Sequence, residues 1–529
     1  MSEPESEPES AAKPRPKLAT LASWAVIAVT LIYAAAFLDP FVAIAALPFF
    51  ALGSARGKSP LTLCALALVP VLALQAASGV KFLITTLPLV TYDHYFLRGN
   101  VLVLAANDWR IASAVVLGAL GTIVYLRLLF SGKGAFTRFE KAGVVGLAVV
   151  AVACLMSVRN WTSDVMGWDK ALNEPTVRAF VRSAQIPAPQ LDLLPQAQAA
   201  LPAPTLTTGG LVTPIPGLSA PADKPDLFFI LQESMLPPEK IRPGAEARHL
   251  FAKTADHVGP LRVHCFAGGT WKSEFSLAVQ MRPQEFGNDG LYVFHQLEGR
   301  IKRSIFTLLK EQGYRVMVFY PSPGNFINGR NFYASIGVDE LYDPEALGIG
   351  DGWDWKIPDA TLYDAMLKKI EGETRPVAVL LLTISQHGPH VFEDPHTDYM
   401  TRFEVADAAY GKLLQDLAAR GRRTGVVAFG DHQPEFLARF VDNHDDWYYT
   451  GYDVRCLNFE CAPSVLDNRG GKPLDITLLS SSALQAFGFG LDGFAALHQD
   501  LYAHCGDDVA KCDETARLTL NSAFSHFFE

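Results

Sequence analysis

Hydrophobic residues are concentrated in the first 160 positions of the chain, in runs that carry almost no charge. Five of these runs approach the roughly 20 residues that a helix needs to cross a bilayer. They cover about 20–38, 41–55, 60–79, 111–131 and 143–158. We therefore predict a multi-pass membrane domain of five α-helices at residues 19–160. The run at 41–55 is short and contains Pro48, so four spans are the alternative.

The polar segments around these runs predict the orientation of the chain. Residues 1–18 are polar and Pro-rich and lack the pattern of a cleavable signal, which is typical of a disordered cytoplasmic tail. Lys and Arg flank the spans on the same side as this tail. With five spans, everything after residue 160 then lies in the periplasm or outside the cell. The stretch 81–110 is either an amphipathic segment on the outer bilayer face or a loop packed on the helices.

The composition changes again after residue 160. Residues 161–224 are rich in Pro and Ala, with nine prolines from Pro187 to Pro225, which predicts an extended linker. The four last cysteines form two close pairs, at 456 and 461 and at 505 and 512. Such pairs favour local disulfides in an oxidising compartment, with zinc binding as the alternative.

From residue 225 to 529, short apolar runs alternate with helical patterns. This order predicts an α/β domain with a mostly parallel central sheet. The runs at 227–231, 377–383 and 425–429 are continuously apolar, as expected for strands that are buried on both faces. Ligand sites of such sheets form beyond the carboxyl ends of the strands.

Polar residues follow all three apolar runs: Glu233 after the first, His387 after the second, and Asp431 and His432 after the third. An adjacent Asp and His offer oxygen and nitrogen ligands to Mn²⁺ or Zn²⁺. Each residue alone has a plainer interpretation, as a helix cap, a turn residue or a local hydrogen-bonded pair. Their position at one predicted edge favours a site.

A fourth motif is GGTWKSEF at 268–275, where two glycines and Thr270 open a predicted helix. Glycines permit close backbone approach, and the free N–H groups at a helix start stabilise an anion. Thr270 is either an ordinary N-cap or, if it contacts a metal ion, an activated nucleophile.

Composition narrows the possible partners. The chain has 529 residues, is 49% hydrophobic and only 19% charged, and has a net charge of −10. This balance, with no Lys/Arg-rich block, argues against nucleic acid as the main partner. The spans contain no cluster of charged residues, which argues against an ion-coupled transporter.

These motifs, in this order, resemble the lipoteichoic acid synthase and phosphoglycerol transferase branch of the sulfatase (alkaline phosphatase) superfamily. The resemblance implies that Glu233, Thr270, Asp431 and His432 bind one divalent metal ion. Mn²⁺ is the expected ion, with Mg²⁺ or Zn²⁺ as alternatives. It also implies that Thr270 accepts the phosphoryl group and that His387 contacts the substrate phosphate.

The same resemblance places the head-group site in the segment FINGRNFYASIG at 326–337, with Asn328 and Arg330 as substrate-binding residues. Trp271, next to Thr270, either shapes the pocket or covers the core. This segment departs from the family pattern, because Arg330 is one residue closer to Tyr333 than usual and Ile327 replaces an aromatic residue. An Arg among polar residues is also a common surface ion-pair partner.

The implied function is transfer of the head group of a phospholipid donor, phosphatidylglycerol, through a phosphothreonine to a glycan or glycolipid acceptor in the cell envelope of a bacterium. The alternatives are a phosphoethanolamine transferase, a sulfatase-like hydrolase, a catalytically silent lipid-binding regulator, and an assembly protein anchored by the spans. The chain lacks the CxPxR or SxPxR motif of a sulfatase nucleophile and the Cys-Pro of the phosphoethanolamine transferases.

Overall fold

The computed structural model describes residues 217–505, except 354, 389, 392, 440–443 and 468, together with isolated residues between 69 and 127. The predicted tail, most of the predicted spans and most of the linker lie outside the described residues. None of the helices in the described part combines the length and apolarity needed to traverse a bilayer. Two compact units divide the chain, and the second comprises Val80–Ser113, Asp164–Leu172 and Ser183–Glu529.

An eight-stranded mixed sheet organises the described part of the second unit. Its spatial order is β4-β3-β5-β1-β6-β7-β2-β8. All neighbours pair in parallel except β7, which is antiparallel to both β6 and β2. The strands are β1 Asp226–Gln232, β2 His257–Arg262, β3 Arg315–Phe319, β4 Glu340–Tyr342, β5 Val377–Leu382, β6 Thr424–Gly430, β7 Tyr449–Leu457 and β8 Leu474–Asp475. The predicted α/β domain with a mostly parallel sheet is confirmed.

Helices cover both faces of this sheet. They are α1 Thr270–Val279, α2 Val293–Gln296, α3 Ile305–Glu311, α4 Gly329–Ser335, α5 Pro344–Leu347, α6 Asp359–Lys369, α7 Pro395–Ala419, α8 Ile476–Ala486 and α9 Gly493–His504. Short 3-10 turns lie at Pro238–Lys240, Pro283–Tyr292, Phe326–Asn328, Glu435–Arg439 and His444–Tyr448.

The central strands β1, β5 and β6 are buried along their whole length. Successive side chains of a strand point to opposite faces, so each strand contributes to two hydrophobic clusters. In β1, Phe228 and Ile230 belong to one cluster, whereas Leu227, Phe229 and Leu231 belong to the other. Burial on both faces explains why these strands are continuously apolar in the sequence.

The register between β1, β5 and β6 determines which chain segments meet at the edge of the sheet. Gln232, the last residue of β1, pairs with Gly430, the last residue of β6. Leu231 pairs with Leu382, the last residue of β5. The three strands therefore end together, and the chain segments that follow them meet at one edge.

Candidate functional site

Glu233 and Asp431 lie side by side because β1 and β6 are parallel neighbours in register. Gly430 allows this approach, since a Cβ atom at this position would lie 1.8 Å from the carbonyl oxygen of Met235. The backbone N–H of Glu233 donates a hydrogen bond of 3.0 Å to Thr383 Oγ1, at the end of β5. All three central strands thus fix the position of Glu233.

Thr270 is brought to this edge by the start of helix α1. The N-cap residue is Gly269, in the left-handed conformation (φ 82°), and Gly268 before it also has a positive φ of 146°. A side chain in the left-handed region is strained, so glycine suits the N-cap position. The interpretation of Thr270 as the N-cap is therefore wrong, because Thr270 is the first helical residue.

The Thr270 hydroxyl points at the carboxylate and imidazole beyond the strand ends. Its Oγ1 donates to Glu233 Oε2 at 3.3 Å and lies 3.4 Å from His432 Nε2. His432 Nε2 is also 3.5 Å from Glu233 Oε1 and 3.2 Å from Asp431 Oδ2. Four side chains from three separate parts of the chain thus converge, and Glu233, Asp431 and His432 are all buried.

The tautomer of His432 follows from the hydrogen bond that its Nδ1 atom makes. His432 Nδ1 lies 3.0 Å from the carbonyl oxygen of Gln433, which only accepts hydrogen bonds. Nδ1 therefore carries the proton, and the lone pair of Nε2 faces the surrounding oxygens. A lone pair directed at carboxylates is favourable only when a metal cation, or a second proton on the ring, lies between them.

Two further observations fit a divalent metal ion here. Asp431 Oδ2 is buried and has no hydrogen-bond partner among the described residues. Ligand atoms of Glu233, Asp431 and His432 lie within 4.8 Å of one another. With the Thr270 hydroxyl, they form a set of oxygen and nitrogen donors that suits Mn²⁺ or Zn²⁺. These four residues would hold the ion.

Electrostatics of the cluster favour a cation as well. Burial, together with the nearby carboxylate of Glu233, raises the pKa of Asp431 to about 7. Burial lowers the pKa of His432, but the carboxylates of Asp431 and Glu233 outweigh this effect and raise it overall. Both shifts reflect excess negative charge in a buried space, which a bound metal ion would neutralise.

His387 follows β5, the strand beside β1, but is not part of the cluster of ligand atoms described above. Its Nδ1 lies 2.7 Å from the carbonyl oxygen of Gly388. Its ring makes an edge contact with the indole of Trp355, at a centroid distance of 4.3 Å. Trp355 also contacts Phe326, at the start of the predicted head-group segment, with centroids 5.1 Å apart.

The two polar residues predicted to bind substrate in that segment have partners within the chain. Asn328 Nδ2 donates to Glu298 Oε2 at 2.7 Å and to the carbonyl oxygen of Phe294 at 3.1 Å. The guanidinium of Arg330 forms an ion pair with Asp343. The side chain of Arg330 remains 48% exposed, so the ion pair leaves part of the guanidinium accessible.

Tyr333, in the same segment, is fully buried, and its hydroxyl donates to the carboxyl group of Glu274. Glu274 is one turn after Thr270 on helix α1. This bond joins the helix that carries Thr270 to the helix that carries Arg330.

Trp271 lies beside the catalytic candidate and is partly buried against the main hydrophobic cluster. Its Nε1 donates to the carbonyl oxygen of Leu291 at 2.8 Å, and its ring stacks on Tyr292 at 5.5 Å. The Tyr292 hydroxyl donates to Asp93 Oδ1 at 2.7 Å. Asp93 belongs to the stretch predicted to be interfacial or packed as a loop, and this contact joins it to the neighbourhood of Thr270.

The cysteines provide a test of the disulfide prediction. Cys456 and Cys461 form a disulfide, as predicted, so their zinc-binding alternative is wrong. Cys505 is disulfide-bonded, whereas Cys512 lies outside the described residues. Cys265 is a buried thiol, and burial raises its pKa to about 12.

Sequence reasoning did not assign roles to several residues that shape the site. Thr383 binds the backbone of Glu233, Gln433 sets the tautomer of His432, and Trp355 contacts His387. Thr383 and Gln433 lie next to the motif residues in the sequence, and this proximity could have indicated a role in the site. Trp355 is more than 30 positions before His387, and nothing in its sequence context links the two.

Comparisons with known proteins agree with this architecture. A family model described as Sulfatase matches residues 246–457. An uncharacterized protein of Haemophilus influenzae is 25% identical over 471 residues, covering 79% of this chain and 83% of the relative.

Several solved structures are similar at low identity. The phosphoglycerol transferase GacH of Streptococcus pyogenes, solved with sn-glycerol-1-phosphate, is 14% identical with a TM-score of 0.47, covering 64% of this chain and 91% of that one. The lipoteichoic acid synthase LtaP of Listeria monocytogenes is 17% identical with a TM-score of 0.37, covering 51% and 76%. The periplasmic domain of EcEptC from Escherichia coli, solved with Zn, is 11% identical with a TM-score of 0.39, covering 53% and 87%. The match to the Sulfatase family model covers the part of the chain that contains Thr270, His387, Asp431 and His432, whereas Glu233 lies before it.

Proposed function

We propose that this protein is a membrane-anchored, metal-dependent transferase that moves the phosphoglycerol head group of phosphatidylglycerol to a glycan or glycolipid acceptor in the cell envelope. The observation that supports it most is the approach of Thr270 Oγ1 to Glu233 and His432, at 3.3 and 3.4 Å. A hydroxyl at the start of a helix, beside donors that suit a divalent cation, is the arrangement expected of a nucleophile.

The reaction proceeds in two balanced steps. Glu233, Thr270, Asp431 and His432 would hold a divalent metal ion, which would acidify the Thr270 hydroxyl and neutralise charge on the phosphate. Thr270 Oγ1 forms a bond to phosphorus, the bond from phosphorus to the diacylglycerol oxygen breaks, and diacylglycerol leaves with a proton. In the second step an acceptor hydroxyl attacks the phosphothreonine, and the Thr270 hydroxyl is restored.

The remaining candidates have supporting roles. His387 follows strand β5, which pairs with β1, and we assign to its imidazole the role of holding the phosphate or protonating the departing oxygen. Arg330 offers the exposed part of its guanidinium to a phosphate, and Asn328 positions the neighbouring backbone through its contact with Phe294. Trp271 supports the wall beside Thr270 through its contacts with Leu291 and Tyr292.

Peptide mass spectrometry tests this proposal. The full chain, purified in detergent, is incubated with Mn²⁺ and labelled phosphatidylglycerol, and the peptide that contains Thr270 is examined for a phosphoglycerol ester. We expect the adduct on Thr270, together with released diacylglycerol, and its loss in Thr270→Ala. Ser273, the next hydroxyl of helix α1, donates to the backbone of Asp431 at 2.6 Å and should stay unmodified.

The donor and the metal ion form separate arms of the experiment. Phosphatidylethanolamine would leave an adduct of different mass, and that result would replace the proposed donor with a phosphoethanolamine lipid. Parallel incubations with Mg²⁺ and Zn²⁺ rank the metal ions. Metal binding without an adduct from either lipid would overturn the transferase proposal and favour a silent lipid-binding protein.

A further inference from the structure

Ser234, directly after Glu233, has a backbone conformation that is unusual for a residue with a side chain. Its φ is 52°, in the left-handed region, and only 2% of the residue is exposed. Bulky or polar residues adopt this conformation when the surrounding structure imposes it, and such positions cluster at functional sites. The reversal of the chain at this point would be easier for glycine, so the serine calls for a reason.

The backbone of Ser234 provides the first part of that reason. In this conformation its N–H donates to Asp431 Oδ1 at 2.8 Å. The N–H of His432 donates to the same oxygen, also at 2.8 Å. Two donors on Oδ1 fix the carboxylate plane, and Oδ2 is left to face His432 Nε2.

The hydroxyl of Ser234 provides the second part. It donates to Glu233 Oε1 at 2.8 Å and lies 3.5 Å from His432 Nδ1. The Ser234 hydroxyl has a single proton, which it donates to Glu233. Its oxygen can therefore only accept a hydrogen bond from His432. The carbonyl oxygen of Gln433 is an acceptor on the same nitrogen. Both contacts require the proton on Nδ1, which directs the lone pair of Nε2 into the site.

We propose that Ser234 is a positioning residue that orients three metal ligands at once, Glu233, Asp431 and His432. It contacts Asp431 through its backbone and the other two through its hydroxyl. Residues that hydrogen-bond to metal ligands set the orientation and basicity of those ligands. Loss of such a residue typically weakens metal binding about 10–100-fold. This inference rests on the metal-dependent function proposed above.

Metal affinity of the full chain in detergent, measured by calorimetric titration with Mn²⁺ after EDTA treatment, tests this role without any assay of activity. Ser234→Gly retains the backbone conformation, relieves its strain and removes the hydroxyl. Ser234→Ala removes only the hydroxyl. We expect both variants to bind Mn²⁺ about 10–100-fold more weakly than the native chain.

Ser234→Thr has the opposite effects to Ser234→Gly on the hydroxyl and on the backbone strain. It keeps the hydroxyl but places a β-branched residue in the left-handed region, where it is strained. In EDTA, we expect Ser234→Thr to unfold more easily than Ser234→Gly. In the titration, we expect Ser234→Thr to bind Mn²⁺ more tightly than Ser234→Gly. A residue that only supports the fold would give the same rank order in both measurements.

Ser304→Ala is the matched control. Ser304 is a buried serine that caps helix α3 by accepting from the N–H groups of Phe306 and Thr307. Its loss should lower the melting temperature without changing the affinity for Mn²⁺. Affinities of Ser234→Gly and Ser234→Ala within twofold of the native chain would overturn the positioning role alone. Failure of the native chain to bind Mn²⁺, Mg²⁺ or Zn²⁺ would overturn both this inference and the proposed function.

Discussion

Glu274 makes the folding stability of this protein depend on pH in a direction opposite to that of most carboxylates. Its side chain is 1% exposed on helix α1, and one of its oxygens has no hydrogen-bond partner among the described residues. Burial raises its pKa to about 8, against an ordinary value of 4.5, and nearby Asp431 and Glu233 add to the rise, while the Tyr333 hydroxyl opposes it.

The sign of the effect follows from proton binding. Between pH 4.5 and about 8, the carboxyl group keeps its proton in the folded chain and loses it in the unfolded chain. The free energy of unfolding therefore falls as pH rises through this range, and below pH 4.5 no such loss applies. A shift from 4.5 to about 8 is roughly 3.5 pKa units, and about 1.4 kcal/mol per unit gives an upper estimate of about 5 kcal/mol.

The assay compares Glu274→Gln with the native chain by denaturant unfolding in EDTA from pH 4.5 to 8.5. The amide is nearly isosteric, its oxygen still accepts from Tyr333, and it does not titrate. We expect the stability of Glu274→Gln relative to the native chain to increase by several kcal/mol across this range. Glu239→Gln, at an exposed carboxylate, is the control variant and is measured over the same pH range. If the unfolding free energies of Glu274→Gln and the native chain differed by the same amount at every pH, burial would not raise the pKa of Glu274.

Three further outcomes follow from the site and the disulfide. Trp355→Leu should lower kcat/KM for the proposed transfer of a lipid head group about 5–10-fold, because an aromatic contact worth about 1 kcal/mol no longer holds His387; an unchanged steady-state value would contradict this. Arg330→Ala should raise KM while changing the unfolding free energy by less than about 1 kcal/mol, since its ion pair is half exposed; an unchanged KM would limit the residue to a surface role. Reduction of Cys456–Cys461, or Cys456→Ser, should lower the unfolding free energy by about 2 kcal/mol, as expected for a loop of sequence separation 5; equal stability with and without reductant would contradict it.

Much of the α/β domain could be predicted because its signals are local. The apolar runs of β1, β5 and β6 are continuous since both faces of each strand are buried. The polar residues after them share one edge because parallel strands run in the same direction. Glu233, Asp431 and His432 were therefore predictable from position, and the two glycines before Thr270 indicated where its helix begins.

Other parts of the site were not predictable, because they depend on partners far along the chain. Asn328 and Arg330 matched a family segment, but their contacts with Glu298 and Asp343 are set by packing. Tyr333 is also in that segment, yet its hydroxyl is buried against Glu274, 59 positions away.

The sequence by itself determined the class of the domain, the direction of its strands and the residue types available at the strand ends, because these depend on hydrophobic periodicity and on local turn chemistry. Only the tertiary structure decided which atoms meet. The register between β1 and β6 places Asp431 beside Glu233, and the left-handed turn at Ser234 directs donors onto both. The tautomer of His432 depends on a carbonyl oxygen whose direction no sequence pattern records. The physical reason is that hydrogen bonds and metal ligation require atomic positions to within a few tenths of an ångström, and packing of distant segments fixes positions at that scale.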